Sequence, residues 1–142
     1  MTLQDRHIAV LVWPGYQELE FWYPVLRARE EGAQVTVVAP STVECESFLG
    51  YPVVGDAEAA ALDAAQLDAV VVPGTVKGQP AMSDAQARLI KGAHAAGRPV
   101  YASGTGARVL EGLIGGVDDA HRAADADGLP AFVRRLHADL AR

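Results

Sequence analysis

Four short apolar runs, each cut off by proline or glycine, limit the folds open to this chain more than any other feature. His7 to Trp13 reads H-I-A-V-L-V-W and stops at Pro14-Gly15; Gln34 to Ala39, Q-V-T-V-V-A, stops at Pro40. Leu67 to Val72, L-D-A-V-V-V, stops at Pro73-Gly74, and Pro99 to Ser103 turns at Gly104. Runs this short, without strict polar alternation, suit strands buried on both faces.

Segments of helical character separate the runs. Glu18 to Glu31 carries Leu19, Trp22, Tyr23, Leu26 and Glu30 at helical spacing, and Gly32 is a natural stop. Proline is tolerated only near a first turn, so Pro24 predicts a helix that properly begins around Phe21 or Trp22. Ser83 is a candidate N-cap for a helix from Asp84 to Ala96, which Gly97 ends. A third helix is expected over Ala107 to Ile114, closed by Gly115-Gly116. A fourth is expected over Pro130 to Ala141, with Phe132, Val133, Leu136 and Leu140 on one stripe. Thr42 to Asp56 reads as a loop or small hairpin, and Ala57 to Ala65 as a helical turn. Thr75 to Met82 reads as a loop, and Asp118 to Gly128 as a polar connector.

Strands alternating with helices predict an α/β fold, with a mainly parallel sheet covered on both faces. The 142 residues fit a single domain, 1–142. Ligands of such sheets sit beyond the carboxyl ends of the strands. That rule draws a candidate site from three loops: Pro14 to Glu20, Pro73 to Gln79, and Ser103 to Ala107.

Composition excludes several classes of function. The net charge is −6 with no basic block, so no nucleic-acid footprint is present. No apolar run approaches the roughly 18 residues that cross a bilayer, so no membrane role is expected. The apolar run after Asp5 and Arg6 ends at Pro14 with no small-residue cleavage site, and reads as a strand and not a signal peptide. Cys45 is the single cysteine, which rules out an internal disulfide and suggests a cytoplasmic, reducing compartment. His7, His94, His121 and His137 are scattered without ligand spacing, so neither a metal nor another cofactor is expected. Gly104-Thr105-Gly106 follows a strand and opens a helix, but a dinucleotide fingerprint would need a small residue where Val109 stands. It would also fall in the first βαβ unit.

Three segments resemble the DJ-1/PfpI superfamily, which is class I glutamine amidotransferase-like. Residues 8–39 are similar to its first βαβ unit, and Glu20 matches the acidic residue early in its first helix. Residues 67–74, L-D-A-V-V-V-P-G, are similar to the strand that ends in Pro-Gly-Gly. Residues 99–116, P-V-Y-A-S-G-T-G-A-R-V-L-E-G-L-I-G-G, are similar to the strand, elbow and helix that hold the family's catalytic cysteine, and Thr-Gly-Ala after the elbow resembles the isocyanide hydratases. The resemblance implies a flavodoxin-like three-layer sandwich, shortened at the C-terminus after Gly116, and a homodimer. It also implies that Gly104 replaces the nucleophilic cysteine and that Thr75 replaces the second glycine of Pro-Gly-Gly.

Covalent thiol chemistry at Gly104 is then excluded, and peptide hydrolysis with it. What remains is a helix start with amides at Thr105 and Gly106, able to hold an anion, a carbonyl oxygen or water. Glu20 would face it as a general acid or base, its pKa raised by desolvation, unless it merely caps backbone N–H groups. Glu18 is the competing acid, expected to point to solvent. Gly74 and Thr75 would add a pocket hydroxyl and an amide, while Tyr16 and Trp22 either line the pocket or belong to the core or an interface. Ser103 is an alternative nucleophile without an evident histidine. Cys45, between Glu44 and Glu46, should have a raised pKa and low reactivity, and His121 is the histidine placed to replace the missing family segment.

Two functions follow. One is a Glu20-dependent hydratase, dehydratase (a lyase) or isomerase acting on a small polar or carbonyl molecule. The other is a non-catalytic, degenerate member that acts as a ligand-binding or protein-binding dimer.

Overall fold

The computed structural model describes residues 2–41 and 43–141; Met1, Thr42, where the expected hairpin segment opens, and Arg142 lie outside them. Seven strands occur among these residues: β1 (His7–Leu11), β2 (Gln34–Val38), β3 (Cys45–Glu46), β4 (Pro52–Val53), β5 (Ala69–Val72), β6 (Val100–Ser103) and β7 (Arg122–Ala123). Five of them form one sheet in the order β2-β1-β5-β6-β7, every neighbouring pair parallel. Taken in chain order, this is the 2-1-3-4-5 arrangement of flavodoxin-like folds, in which the order reverses between β1 and β5. The expected α/β class is observed.

The apolar runs end up where their composition requires. Ile8 to Leu11 of β1, all of β5 and all of β6 are buried, flanked by strands and covered by helices. Helix α1 (Glu18–Glu30) packs against α4 (Leu129–Leu140), and α2 (Asp84–Ala95) against α3 (Thr105–Ile114). A capping box at Ser83 and Gln86 starts α2. The fully buried Gln86 carboxamide also donates to the carbonyls of Val12 and Val38, at 3.0 and 2.8 Å. That satisfies two buried acceptors at the carboxyl ends of β1 and β2, and fixes the helix against them.

Four expectations need correction. Helix α1 begins at Glu18 and runs through Pro24 without a break. The Gln17 side chain accepts from the Glu20 N–H at 2.7 Å and supplies the cap. Proline's missing N–H then costs one internal bond, to the Glu20 carbonyl, and buried packing of Phe21, Val25 and Ala28 offsets it. The residues at helical spacing also do not form the buried face: Leu19 and Leu26 are 53% and 50% exposed and Trp22 and Tyr23 only partly buried, while Glu20, Phe21, Pro24, Val25 and Ala28 are buried. Helix α3 begins at Thr105, two residues earlier than expected. The connector 118–128 contains β7 between two short 3-10 turns, so it supplies an edge strand. Residues 45–53 form the small antiparallel hairpin, with Cys45 opposite Val53.

Candidate functional site

The site lies where β1, β5 and β6 end, beside the reversal of strand order. At the end of β6 the chain turns through Gly104, with φ 53° and ψ −131°, directly into α3. A left-handed φ of this kind favours glycine over any residue with a Cβ. Gly104 is held there by its N–H, which donates to the Ala123 carbonyl of β7 at 3.0 Å. A Cβ added at Gly104 would lie 2.8 and 3.0 Å from the two Glu20 carboxyl oxygens. The Glu20 carboxyl therefore rests against the bend, in the space a side chain at 104 would need.

Glu20 reaches this position from the first turn of α1 and is 6% exposed. Its Oε1 accepts from the Gly74 N–H at 2.9 Å and from the Ser103 hydroxyl at 2.8 Å. Burial pushes its pKa above the ordinary glutamate range; the Ser103 and Gly74 hydrogen bonds oppose the rise, and Asp125 adds to it. No partner binds Oε2 among the described residues, and Glu20 lines a cleft of about 510 Å³ together with Thr75, Gly104, Thr105, Arg108 and Arg122. A carboxyl with one anchored oxygen and one oxygen open to a cleft can give or take a proton without leaving its seat.

The glycines around the bend serve close approach. A Cβ at Gly74 would meet the Thr105 nitrogen and Oγ1 at 2.8 Å and Glu20 Oε1 at 2.9 Å. A Cβ at Gly106 would meet the Val72 and Pro73 carbonyl oxygens at 2.4 and 2.6 Å. Gly106 is thus a packing residue that seats α3 on the end of β5, and it does not line the cleft. The expected hole at the loop after β5 is also occupied. The Thr75 N–H donates to Thr105 Oγ1 at 2.8 Å, and the Thr75 hydroxyl donates to the Gly78 carbonyl at 2.8 Å. The amide expected to receive an oxyanion is already satisfied.

Tyr16 does not reach the cleft. It is fully buried, its hydroxyl donates to the Tyr51 carbonyl at 2.9 Å, and its ring packs edge-on against Phe21. Its backbone bridges to Ser47 and Thr75, so it braces the hairpin against the loop after β5. Glu18, expected in solvent, accepts from the Leu49 N–H at 2.9 Å. Burial alone would raise its pKa, but hydrogen bonds from Ser47 and Leu49 outweigh burial and hold it below the ordinary range. Cys45 is buried in β3, and burial, more than the neighbouring Glu44, pushes its thiol pKa up. Ser103 is fully buried with its hydroxyl spent on Glu20, so it orients that carboxyl. None of the four histidines lines the cleft.

Arg108, Glu111, Arg122, Ala123 and Ala124 line the cleft without having been expected there. The first two lie on the recognised helix and were discoverable from a helical projection. The other three depend on β7, a two-residue strand too short to show periodicity.

A parallel five-stranded sheet of this order, with an acidic residue of the first helix against a strained strand-to-helix bend, defines a flavodoxin-like α/β class. Within it the chain belongs to the DJ-1/PfpI family, whose family model matches residues 6–113. No curated protein matches the sequence. Solved structures do. A cysteine-to-alanine mutant of a DJ-1 superfamily protein from Salmonella typhimurium is 23% identical with a TM-score of 0.79, covering 96% of this chain and 90% of that one. Drosophila melanogaster DJ-1beta is 19% identical with a TM-score of 0.81, covering 99% and 91%. The chain also matches a two-domain protein from Anabaena variabilis with DJ-1/ThiJ/PfpI-like and ferritin-like domains, at 23% identity and a TM-score of 0.66. There it covers 74% of this chain and spans 31% of that protein. At these identities the likeness concerns the fold. No helix among the described residues is long and apolar enough to cross a membrane.

Proposed function

We propose that this protein is a cysteine-independent acid/base enzyme of the hydratase, dehydratase or isomerase type, working on a small polar or carbonyl molecule through Glu20. One observation carries the reading: a buried carboxyl, anchored on one oxygen by Gly74 and Ser103, borders a cleft with its other oxygen unpartnered among the described residues. In this reading Gly104 stands at the elbow position of the family's nucleophilic cysteine, and Thr105-Gly106-Ala107 matches the turn of the isocyanide hydratases. With no side chain at 104 and no histidine on the cleft, no nucleophile is placed for covalent catalysis or peptide cleavage.

The proton cycle follows from the hydrogen bonds. Two donors on Oε1 favour electron density there, so the acid proton resides on Oε2. Glu20 gives that proton to a carbonyl or leaving-group oxygen, then recovers one from an adjacent carbon or from water. Removal of a proton from the carbon beside a protonated carbonyl leaves its enol isomer, and the same removal as a protonated hydroxyl departs as water leaves a carbon–carbon double bond. Attack of water on a protonated carbonyl carbon, with its proton passing to Glu20, leaves the hydrate. Thr105 and Arg108 also line the cleft, and in this reading they hold the oxygen being protonated.

The test is Glu20→Gln, read against a panel of small carbonyl and hydroxy compounds by proton NMR in heavy water. Deuterium uptake or net conversion by the wild type should fall by about 100-fold or more in the variant, the scale of general acid–base catalysis. Equal conversion by both proteins rejects the reading.

A second reading is favoured by a different observation. Leu19 and Leu26 of α1 and Phe48, Leu49, Tyr51 and Val54 of the hairpin region are exposed large hydrophobics. Such a patch suits a second copy of this chain, making the protein a homodimer that binds a ligand or another protein without catalysis. Light scattering after size exclusion tests it, and a wild-type monomer at micromolar concentration sinks it.

A further inference from the structure

We propose that Asp139 is a positioning residue for the bend at Gly104, acting through Tyr101 and His121 from the far end of α4; the inference rests on the reading that the bend and Glu20 are the working centre. The Tyr101 hydroxyl on β6 donates to Asp139 Oδ2 at 2.6 Å. His121 Nε2 lies 3.7 Å from the same oxygen, and the His121 ring packs on the Tyr101 ring with centroids 4.4 Å apart. One carboxylate oxygen therefore gathers a residue of β6 and the residue immediately before β7.

Two positions further along each strand is the site. Tyr101 and Ser103 point to the same face of β6, since side chains alternate along a strand, and Ser103 anchors Glu20. His121 precedes Arg122 and Ala123, which pair with Ala102 and Ser103, and the Ala123 carbonyl holds the Gly104 N–H. Arg122, Ala123 and Ala124 also form one wall of the cleft. An edge strand of two residues has too few ladder bonds to fix its own register. The shared tether at Asp139 supplies the missing constraint. It joins β7 to β6 through the charge-assisted Tyr101–Asp139 hydrogen bond and the His121 ring packed on Tyr101.

Hydrogen exchange at single amides tests the proposal without needing a substrate. In Asp139→Ala the Gly104 amide should exchange roughly tenfold faster or more, the effect expected when a hydrogen bond to a charged group is lost. The amides of Ala9, Val10 and Val71 in the centre of the sheet should keep their wild-type rates. Asp139→Asn retains an acceptor for Tyr101 and should restore most of the protection. Tyr101→Phe removes the donor alone, carries the test should Asp139→Ala fail to fold, and should accelerate Gly104 selectively. Unchanged exchange at Gly104, or uniform acceleration across all strands, overturns the proposal. Glu20→Gln, which tests the enzymatic reading, leaves the tether intact and should not alter Gly104 exchange, so either idea can fail alone.

Discussion

The two faces of helix α1 share a backbone and both carry large apolar side chains, yet they meet opposite environments. The inward face presents Phe21, Pro24, Val25 and Ala28 to the core and delivers Glu20 to the bend. The outward face presents Leu19 and Leu26, about half exposed, and Leu19 shares a groove with Tyr51 and Pro52 of the hairpin region. Hydrophobicity therefore does not tell which face is the core. What separates them is that one face reaches the core, and the other is left about half exposed by the described residues. The inner face holds a buried carboxyl, and the outer face leaves large apolar side chains exposed.

Substitutions on the two faces should differ most in stability. Phe21→Ala removes a fully buried ring packed edge-on against Tyr16 and Trp22, and should cost about 3–5 kcal/mol by urea unfolding. A cost below about 1 kcal/mol would mean the inner face is not core. Next in size is Gly104→Ala, on the far side of Glu20. The φ of 53° and a Cβ 2.8 Å from Glu20 Oε1 should cost roughly 1–3 kcal/mol. It should also shift the Glu20 titration seen by carbon NMR, because the carboxyl must leave its seat. An unshifted titration would show that the bend has more room than the geometry allows.

The inner face should also carry a pH dependence. His137 of α4 is buried, its Nε2 has no hydrogen-bond partner among the described residues, and burial, then the Arg27 charge, holds its pKa below the ordinary histidine range. The unfolded chain then binds this proton more readily than the folded one. The contribution is intact above the ordinary histidine pKa and is lost as pH falls through the folded value. Glu20 has the opposite sign, since its raised pKa favours the folded state below the ordinary glutamate range and that benefit is lost as pH rises through the folded value. Thermal melts of His137→Gln should lose the first slope, and those of Glu20→Gln the second. The smallest effect is expected outside. Leu26→Glu should change the unfolding free energy by about 0.5 kcal/mol or less, yet shift any dimer seen by light scattering towards monomer.

Local order was enough to place most of the fold. Each apolar run closed by Pro or Gly became a strand, and Ser83 became a helix cap, because these signals act over a few residues. The carboxyl-end rule for parallel sheets brought the loops of Glu20 and Gly104 to one site, but only likeness to a family singled the two residues out as a pair, since no local rule joins positions so far apart. Pro24 misplaced the start of α1 because a propensity argument weighs one lost bond, whereas burial weighs a whole helix face.

From the sequence alone came the α/β alternation, the end of the sheet that holds the site, and the absence of a side chain at 104. Tertiary structure alone decided that Oε1, and not Oε2, takes the hydrogen bonds of Gly74 and Ser103, that Tyr16 braces a hairpin and stays out of the cleft, and that two residues of β7 build a wall. The reason is range. Strand and helix signals are written in neighbouring residues, whereas burial, shared hydrogen bonds and the closeness of Gly74, Ser103 and Gly104 to one carboxyl exist only after the chain has folded back on itself.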